Sequence, residues 1–364
     1  MAAQPGFDRR ALLRGGAAAT AAGAIGLTAA GTANAAGTAG SYRSRSAAPA
    51  KAAEPRIYST VEWGARPPSS SIVVQNHVPT YIVVHHTAGG NSEDYSLEHA
   101  KQICRSIQNF HMDVRGWADS GQQFTNSRGG YMLEGRHKSL GVVRGGTQHV
   151  QGANVGGHNS EVIGIENEGL YTSVDVPQAL WDSLVQLVAW IASQYGTDLK
   201  NIKGHRDFNS TECPGTVLYG RLQELRDAVG KALGVAPTGA LLAWPLLKPG
   251  AVGPQVRAAQ YLLRAKGFDA VPVDGVFGIT TKQAVAELAG RHGIEQHACS
   301  AMHHSKADET GYLGSDIWPL ITPSARTGGS ADVDQAVRTL LRKDRGKAPS
   351  ADALTQSDWQ RLLS

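Results

Sequence analysis

The stretch Gly204-His205-Arg206-Asp207-Phe208-Asn209-Ser210-Thr211-Glu212-Cys213-Pro214-Gly215 sets a histidine and a cysteine eight positions apart. It is too rich in Asn, Ser, Thr, Pro and Gly to be helical. A loop of that length can fold back and aim both side chains at one point. Imidazole nitrogen and thiolate sulfur are ligand types that Zn²⁺ prefers, and a catalytic zinc site needs a third protein ligand and one open position. The third candidate closes the apolar run Tyr81-Ile82-Val83-Val84-His85-His86, where a buried strand would hold His85 rigidly. Each half alone is a weak signal; together they lead to the expectation of a zinc site.

The elements that must position these residues can be read from periodicity. Tyr81 to His86 reads as a central strand. Ser96 to His111 carries Leu97, Ala100, Ile103, Cys104, Ile107 and Phe110 at amphipathic helical spacing, with His111 in a structural role. The segments Phe124 to Ser127 and Tyr131 to Glu134 flank Gly129-Gly130 as a hairpin, and Glu134-Gly135-Arg136 suggests an Arg–carboxylate pair. Val142 to His158 is rich in Gly, Gln and His and reads as a loop. Val162 to Glu168 reads as a strand whose alternation puts Glu166 and Glu168 on one face. Pro177 to Tyr195 is a helix with a broad apolar stripe, and Val217 to Leu233 a second amphipathic helix.

At 364 residues the chain can bury a sizeable core and exceeds one average domain. Residues 1–35 pair Arg9 and Arg10 ahead of a weakly apolar Ala/Gly/Thr run that closes at Ala33-Asn34-Ala35. That pattern fits a cleaved twin-arginine export signal, hence a secreted protein, better than a membrane anchor. Losing Asp8, Arg9, Arg10 and Arg14 with it halves the net charge of +4, which leaves too little to argue for nucleic acid. No other segment is long and apolar enough to span a membrane. Residues 36–55 read as a flexible linker. Three cysteines make no disulfide framework. If Cys213 is a ligand, Cys104 and Cys299 remain, and whether they pair stays open. His297, His303 and His304 read as a solvated loop, because no acidic or thiol partner has ligand spacing.

Several motifs resemble peptidoglycan recognition proteins and the zinc-dependent N-acetylmuramoyl-L-alanine amidases that share their fold. They are Glu62-Trp63-Gly64-Ala65-Arg66, Val83 to Gly89, Ile107 to Asp113, Gly116-Trp117-Ala118-Asp119, Ile163-Gly164-Ile165-Glu166 and the His205 loop. The resemblance implies an α/β fold, a mixed central β-sheet flanked by helices, over residues 56–234. It also implies His85, His205 and Cys213 as zinc ligands. Many of these enzymes place a tyrosine after Gly-Trp-x-Asp-x-Gly, where this chain has Gln122, which cannot transfer a proton. A second branch uses a glutamate at the position of Glu166, which then becomes the expected general base; a core-edge carboxylate paired with an Arg is the alternative. Thr211 matches the recognition proteins and is expected to assist at the oxyanion. The family's Gly-x-His before an Asn is matched nearest by Gly146-Thr147-Gln148-His149 with Asn154, so His149, with Arg206 and Gln122, is expected to contact substrate.

After a linker at 235–243, residues 244–322 resemble the peptidoglycan-binding domain of many wall hydrolases, a compact helical bundle, with Asp274-Gly275-Val276-Phe277-Gly278 as the most specific part. Residues 323–364 suggest a degenerate second repeat. Together these readings imply a secreted zinc amidase that cuts the lactoyl–L-alanine bond of bacterial peptidoglycan. A recognition protein that binds without cutting, and a zinc peptidase acting within the stem peptide, are the competing readings.

Overall fold

The strands, of which β3 and β7 are the β-branched runs, follow in order β1 (Ile57–Tyr58), β2 (Val74–Gln75), β3 (Tyr81–His86), β4 (Phe124–Asn126), β5 (Met132–Glu134), β6 (His149–Val150), β7 (Val162–Asn167) and β8 (Ile202–Gly204). The structure is a computed structural model that describes residues 51–295, 301, 308–324, 330–341 and 354–364. The export-type signal, Cys299, His297, His303 and His304 lie outside the described residues. Six strands form a mixed sheet in the order β1-β5-β4-β7-β3-β8, with β4–β5 the one antiparallel pair; β2 and β6 form a separate antiparallel pair.

The helices of the first domain are α1 (Thr60–Trp63), α2 (Leu97–Asn109), α3 (Ser139–Gly145), α4 (Gln178–Tyr195), α5 (Thr216–Gly220) and α6 (Leu222–Leu233). Ser96 caps α2 by accepting from His99 N at 3.2 Å, and α2 continues into a π-helical turn, Phe110–Val114, that carries His111. Val142 to Gly145, expected in a loop, belongs to α3, because Leu140 and Val143 bury their side chains in the core. The helix expected over 217–233 is two helices, interrupted at Arg221. Trp63 is buried and donates Nε1 to Glu134 O at 2.7 Å.

Alternation along β3 and β7 divides the two faces of the sheet. Ile82, Val84, Ile163 and Ile165 enter the main core with α4 and α6, including Leu184, Leu187, Val188 and Val229. Val83 and Val162 point to the other face and cluster with Val155 and, at its edge, Phe208. Side chains two apart share a face, so His85 follows Val83 and Glu166 follows Val162 and Gly164 onto that second face.

The remaining helices are α7 (Pro254–Ala265), α8 (Ile279–Arg291), α9 (Trp318–Ile321), α10 (Ala331–Leu341) and α11 (Gln356–Leu363). All five contribute to one further core, in which Trp244 stacks on Trp318 at 5.9 Å. Val333, Val337, Leu340 and Trp359 share it with Val256, Leu262 and Val285. The described residues of the segment expected as a second repeat, 330–341 and 354–364, share this core. Residues Ala48–Ser364 form one unit.

Candidate metal centre and its cleft

The sheet delivers two functional side chains at one level. His85 on β3 and Glu166 on β7 are direct partners in the parallel register, so both project from the same face. Glu166 Oε1 lies 4.0 Å from His85 Nδ1. On the other side of β3, the short strand β8 ends at Gly204 opposite Val84. The chain then turns through a single helical turn that begins at His205, so His205 arrives beside His85 with ring centroids 4.6 Å apart. The loop returns Cys213 to the same point, its Sγ 3.5 Å from His85 Nδ1. One donor atom each from His85, His205 and Cys213 lies within 4.8 Å of the others, and all three residues are buried.

Two imidazoles and a thiol gathered this closely are a donor set suited to zinc, with the three protein ligands of a catalytic site. Further contacts hold them. Asn167 Nδ2 donates to His85 O at 2.8 Å. The backbone N–H of His86 donates to Cys213 Sγ at 3.4 Å. His205 Nε2 meets Asn209 Oδ1 at 3.0 Å.

The loop that carries His205 and Cys213 has its own brace. The buried Arg206 guanidinium donates to Thr211 O at 3.3 Å, to Glu212 O at 2.8 Å and to Thr216 Oγ1 at 3.4 Å, and stacks over Tyr219. Its donors face the loop's own oxygens. Arg206, expected at the substrate, is thus placed inside the loop and does not line the cleft. Asp207 accepts from Gly204 N at 2.9 Å and from Tyr219 Oη at 2.6 Å, tying the turn to α5.

Above the centre is a cleft of about 520 Å³, within the range of small-molecule sites. Glu166, His205 and Thr211 line it, as do His111, Trp117 and His158. Thr211 Oγ1 accepts from Cys213 N at 3.1 Å, which leaves its hydroxyl hydrogen to donate elsewhere. His111 accepts from Gly121 N at 2.9 Å and packs on Trp117 at 4.6 Å, a wall-building role.

Two more expected substrate contacts are placed elsewhere. His149 is fully buried on β6, its Nδ1 2.9 Å from His77 O and its ring edge-on to His77. Burial holds its pKa below the usual histidine range. The cleft histidine of this region is His158, its ring tilted against Phe208 with centroids 5.0 Å apart. Gly156-Gly157-His158-Asn159 matches the Gly-x-His-before-Asn context more closely than the His149 segment, and that spacing was the available signal. Gln122 is buried and donates Nε2 to Thr125 Oγ1 at 3.0 Å, away from the cleft lining.

The other carboxylates near the sheet are engaged by backbone. Glu134 accepts from Thr60 N at 3.1 Å and Leu140 N at 2.9 Å. Arg136 donates to Ser120 O and Gln151 O, so the expected Glu134–Arg136 pair does not form. Glu168 accepts from Arg128 N at 2.9 Å and meets His99 Nε2 at 2.8 Å. Cys104 is a free, buried thiol pushed up to about 12 by desolvation, an inert packing residue.

The C-terminal domain supplies one wall of the cleft through Ile294, Glu295, Ala301 and Asp316. It grips the ligand loop directly. Gly314 N donates to Ser210 Oγ at 2.7 Å, Ser315 Oγ to Arg206 O at 2.6 Å, and Glu212 N to Glu309 Oε1 at 2.8 Å. Lys248 forms an ion pair with Glu212. A Cβ at position 314 would come within 2.8 Å of Ser210 Cα, so glycine is what permits this approach.

Residues 75–216 match the N-acetylmuramoyl-L-alanine amidase family and residues 252–296 a peptidoglycan binding domain. Peptidoglycan-recognition protein SC1a of Drosophila melanogaster is 31% identical over 176 residues, which span 46% of this chain and 84% of that protein. The N-acetylmuramoyl-L-alanine amidase of Homo sapiens is 28% identical over 171 residues, 46% of this chain and 28% of that protein. Among solved structures, wild-type Drosophila PGRP-LB is similar over 51% of this chain and 99% of its own, at 25% identity and a TM-score of 0.41.

Proposed function

The chain belongs to the family of peptidoglycan-recognition proteins and N-acetylmuramoyl-L-alanine amidases, and from that premise we propose that it is a secreted zinc amidase. Its reaction is hydrolysis of the amide between the lactoyl group of muramic acid and L-alanine in bacterial peptidoglycan. The observation that carries this reading is the buried His85–His205–Cys213 cluster with Glu166 4.0 Å from His85 at the floor of the cleft.

His85, His205 and Cys213 would hold the ion. When bound, Zn²⁺ supplies a water acidified to a pKa of about 7 and a Lewis-acidic pole for the scissile carbonyl. The rest of the work falls to the chain. The Glu166 carboxylate takes the proton of the attacking water and returns it to the departing alanine nitrogen. The register with His85 fixes its place, and no rotation of a loop is needed to bring it there. Thr211, whose oxygen is occupied by Cys213 N, gives its hydrogen to the oxyanion as charge develops. Trp117, His111 and His158 wall the glycopeptide, and the C-terminal domain holds the enzyme on polymeric wall. The twin-arginine segment exports it.

Glutamine at position 122 favours binding without cleavage if the reaction needs a tyrosine there. Against that, the Gln122 side chain is turned to Thr125 and is no part of the cleft lining. Mass spectrometry of peptidoglycan incubated with the zinc-loaded protein decides between them. The expected products are stem peptides with a new free L-alanine amine and peptide-free muramic acid. Peptidoglycan bound and left intact would establish recognition instead, and cuts between stem amino acids would establish a peptidase.

A further inference from the structure

We propose that Asp316, from the C-terminal domain, is a positioning residue for His205 and acts through Asn209, an inference that rests on the zinc reading above. The Asn209 side chain lies between the two. Its Nδ2 donates to Gly156 O at 3.3 Å and to Asp316 Oδ2 at 3.4 Å, while its Oδ1 faces His205 Nε2 at 3.0 Å.

A carbonyl oxygen and a carboxylate only accept, so together they hold the amino end of the Asn209 amide. The amide oxygen is thereby turned to His205. A ring nitrogen facing an acceptor must carry the hydrogen, and a neutral imidazole protonated on Nε2 keeps its lone pair on Nδ1. That is the tautomer required of a histidine that ligates through Nδ1. Were the amide reversed, its amino group would face Nε2 and favour the proton on Nδ1, where it blocks the ligand. Outer contacts of this kind set ligand tautomer and ring orientation in metal sites.

Asp316 is itself fixed. Its Oδ1 accepts from Ser210 Oγ at 2.5 Å, and Ser210 Oγ in turn accepts from Gly314 N at 2.7 Å, so the hydroxyl has its single hydrogen committed to Asp316. The carboxylate therefore reaches the ligand loop from 107 positions away in sequence. In this arrangement the second domain is part of the catalytic centre in addition to any hold on the wall.

The test uses the full-length protein. Chelator competition gives the Kd for Zn²⁺, hydrolysis of a soluble muropeptide gives kcat and KM, and thermal unfolding checks the fold. Asp316→Ala and Asn209→Ala are each expected to weaken zinc binding about 10–100-fold and to lower kcat with little change in KM. Asp316→Asn, whose amide oxygen can still accept from Asn209, is expected to recover most of the affinity. Ser315→Ala removes a docking bond to Arg206 O without touching Asn209 and is expected to weaken zinc binding far less than Asp316→Ala does. Wild-type zinc affinity in folded Asp316→Ala overturns the proposal, as does an equal loss in Ser315→Ala, which would make docking alone responsible. A wild-type protein that binds no zinc overturns both readings. One that binds zinc without cutting sinks the amidase reading alone, and the affinity ratios still decide this one.

Discussion

The two halves of the metal centre are held by different means. His85 and Glu166 stand on adjacent strands, where ladder hydrogen bonds and a buried apolar face on the opposite side fix their positions. A register slip of one residue would carry Ile82, Val84, Ile163 and Ile165 out of the main core as it moved His85 and Glu166 to the other face, so their placement is overdetermined. His205 and Cys213 sit on a loop with no ladder of its own. That loop is held by an arginine inside it and by a second domain outside it. The strand half thus draws its rigidity from sheet pairing, whereas the loop half depends on side-chain contacts, from Arg206 within it and from the C-terminal domain.

The comparison can be broken most completely at the ligands. Cys213→Ala is expected to abolish both bound zinc, measured by elemental analysis, and peptidoglycan hydrolysis; a fully active variant would remove the loop half from the site. Glu166→Gln separates the two halves. It should retain zinc with wild-type stoichiometry and lose about 10²–10⁴-fold in kcat, and unchanged turnover would return Glu166 to a structural role. Arg206→Met tests the brace. It leaves the carbonyls of Thr211 and Glu212 without their buried donor, at about 1–3 kcal/mol for each unsatisfied group. A lowered Tm together with weakened zinc affinity is expected, because the loop loosens while Glu166 stays in place; a drop in neither would show that the outer grip suffices.

The smallest effect lies outside both halves, at His149. Burial depresses its pKa in the folded state, so the folded protein binds fewer protons there than the unfolded chain. Its contribution to stability is present above the ordinary histidine pKa of about 6.5 and is lost as pH falls below that value through the folded pKa. Urea midpoints measured from pH 7 to 5 should decline less in His149→Gln than in wild type. Parallel declines would remove His149 as a contributor.

Much of the site was legible because its signals are local. Tyr81 to His86 and Val162 to Asn167 are β-branched runs that announce buried strands, and the loop after Gly204 is punctuated by residues that exclude a helix. Legibility failed where side chains choose among partners. Glu134, Glu166 and Glu168 are all buried carboxylates on or beside strands, yet two accept backbone N–H groups from distant segments and only Glu166 opens on the cleft. His149 and His158 both lie in glycine-rich sequence, and pairing of β6 with β2 drew one of them into the interior. Arg206 was expected at the substrate, but the folded loop presents it with its own carbonyls first.

What the sequence determined by itself is the candidate chemistry: two histidines and a cysteine, residue types suited to zinc, on a strand end and a returning loop, since residue type and short-range spacing are written in the chain. The resemblance already pointed to Glu166; what only the tertiary structure decided is its register with His85 and that Asp316 reaches the loop from another domain. Those depend on strand register and domain docking, which bring together groups that share no local pattern and compete for each buried donor.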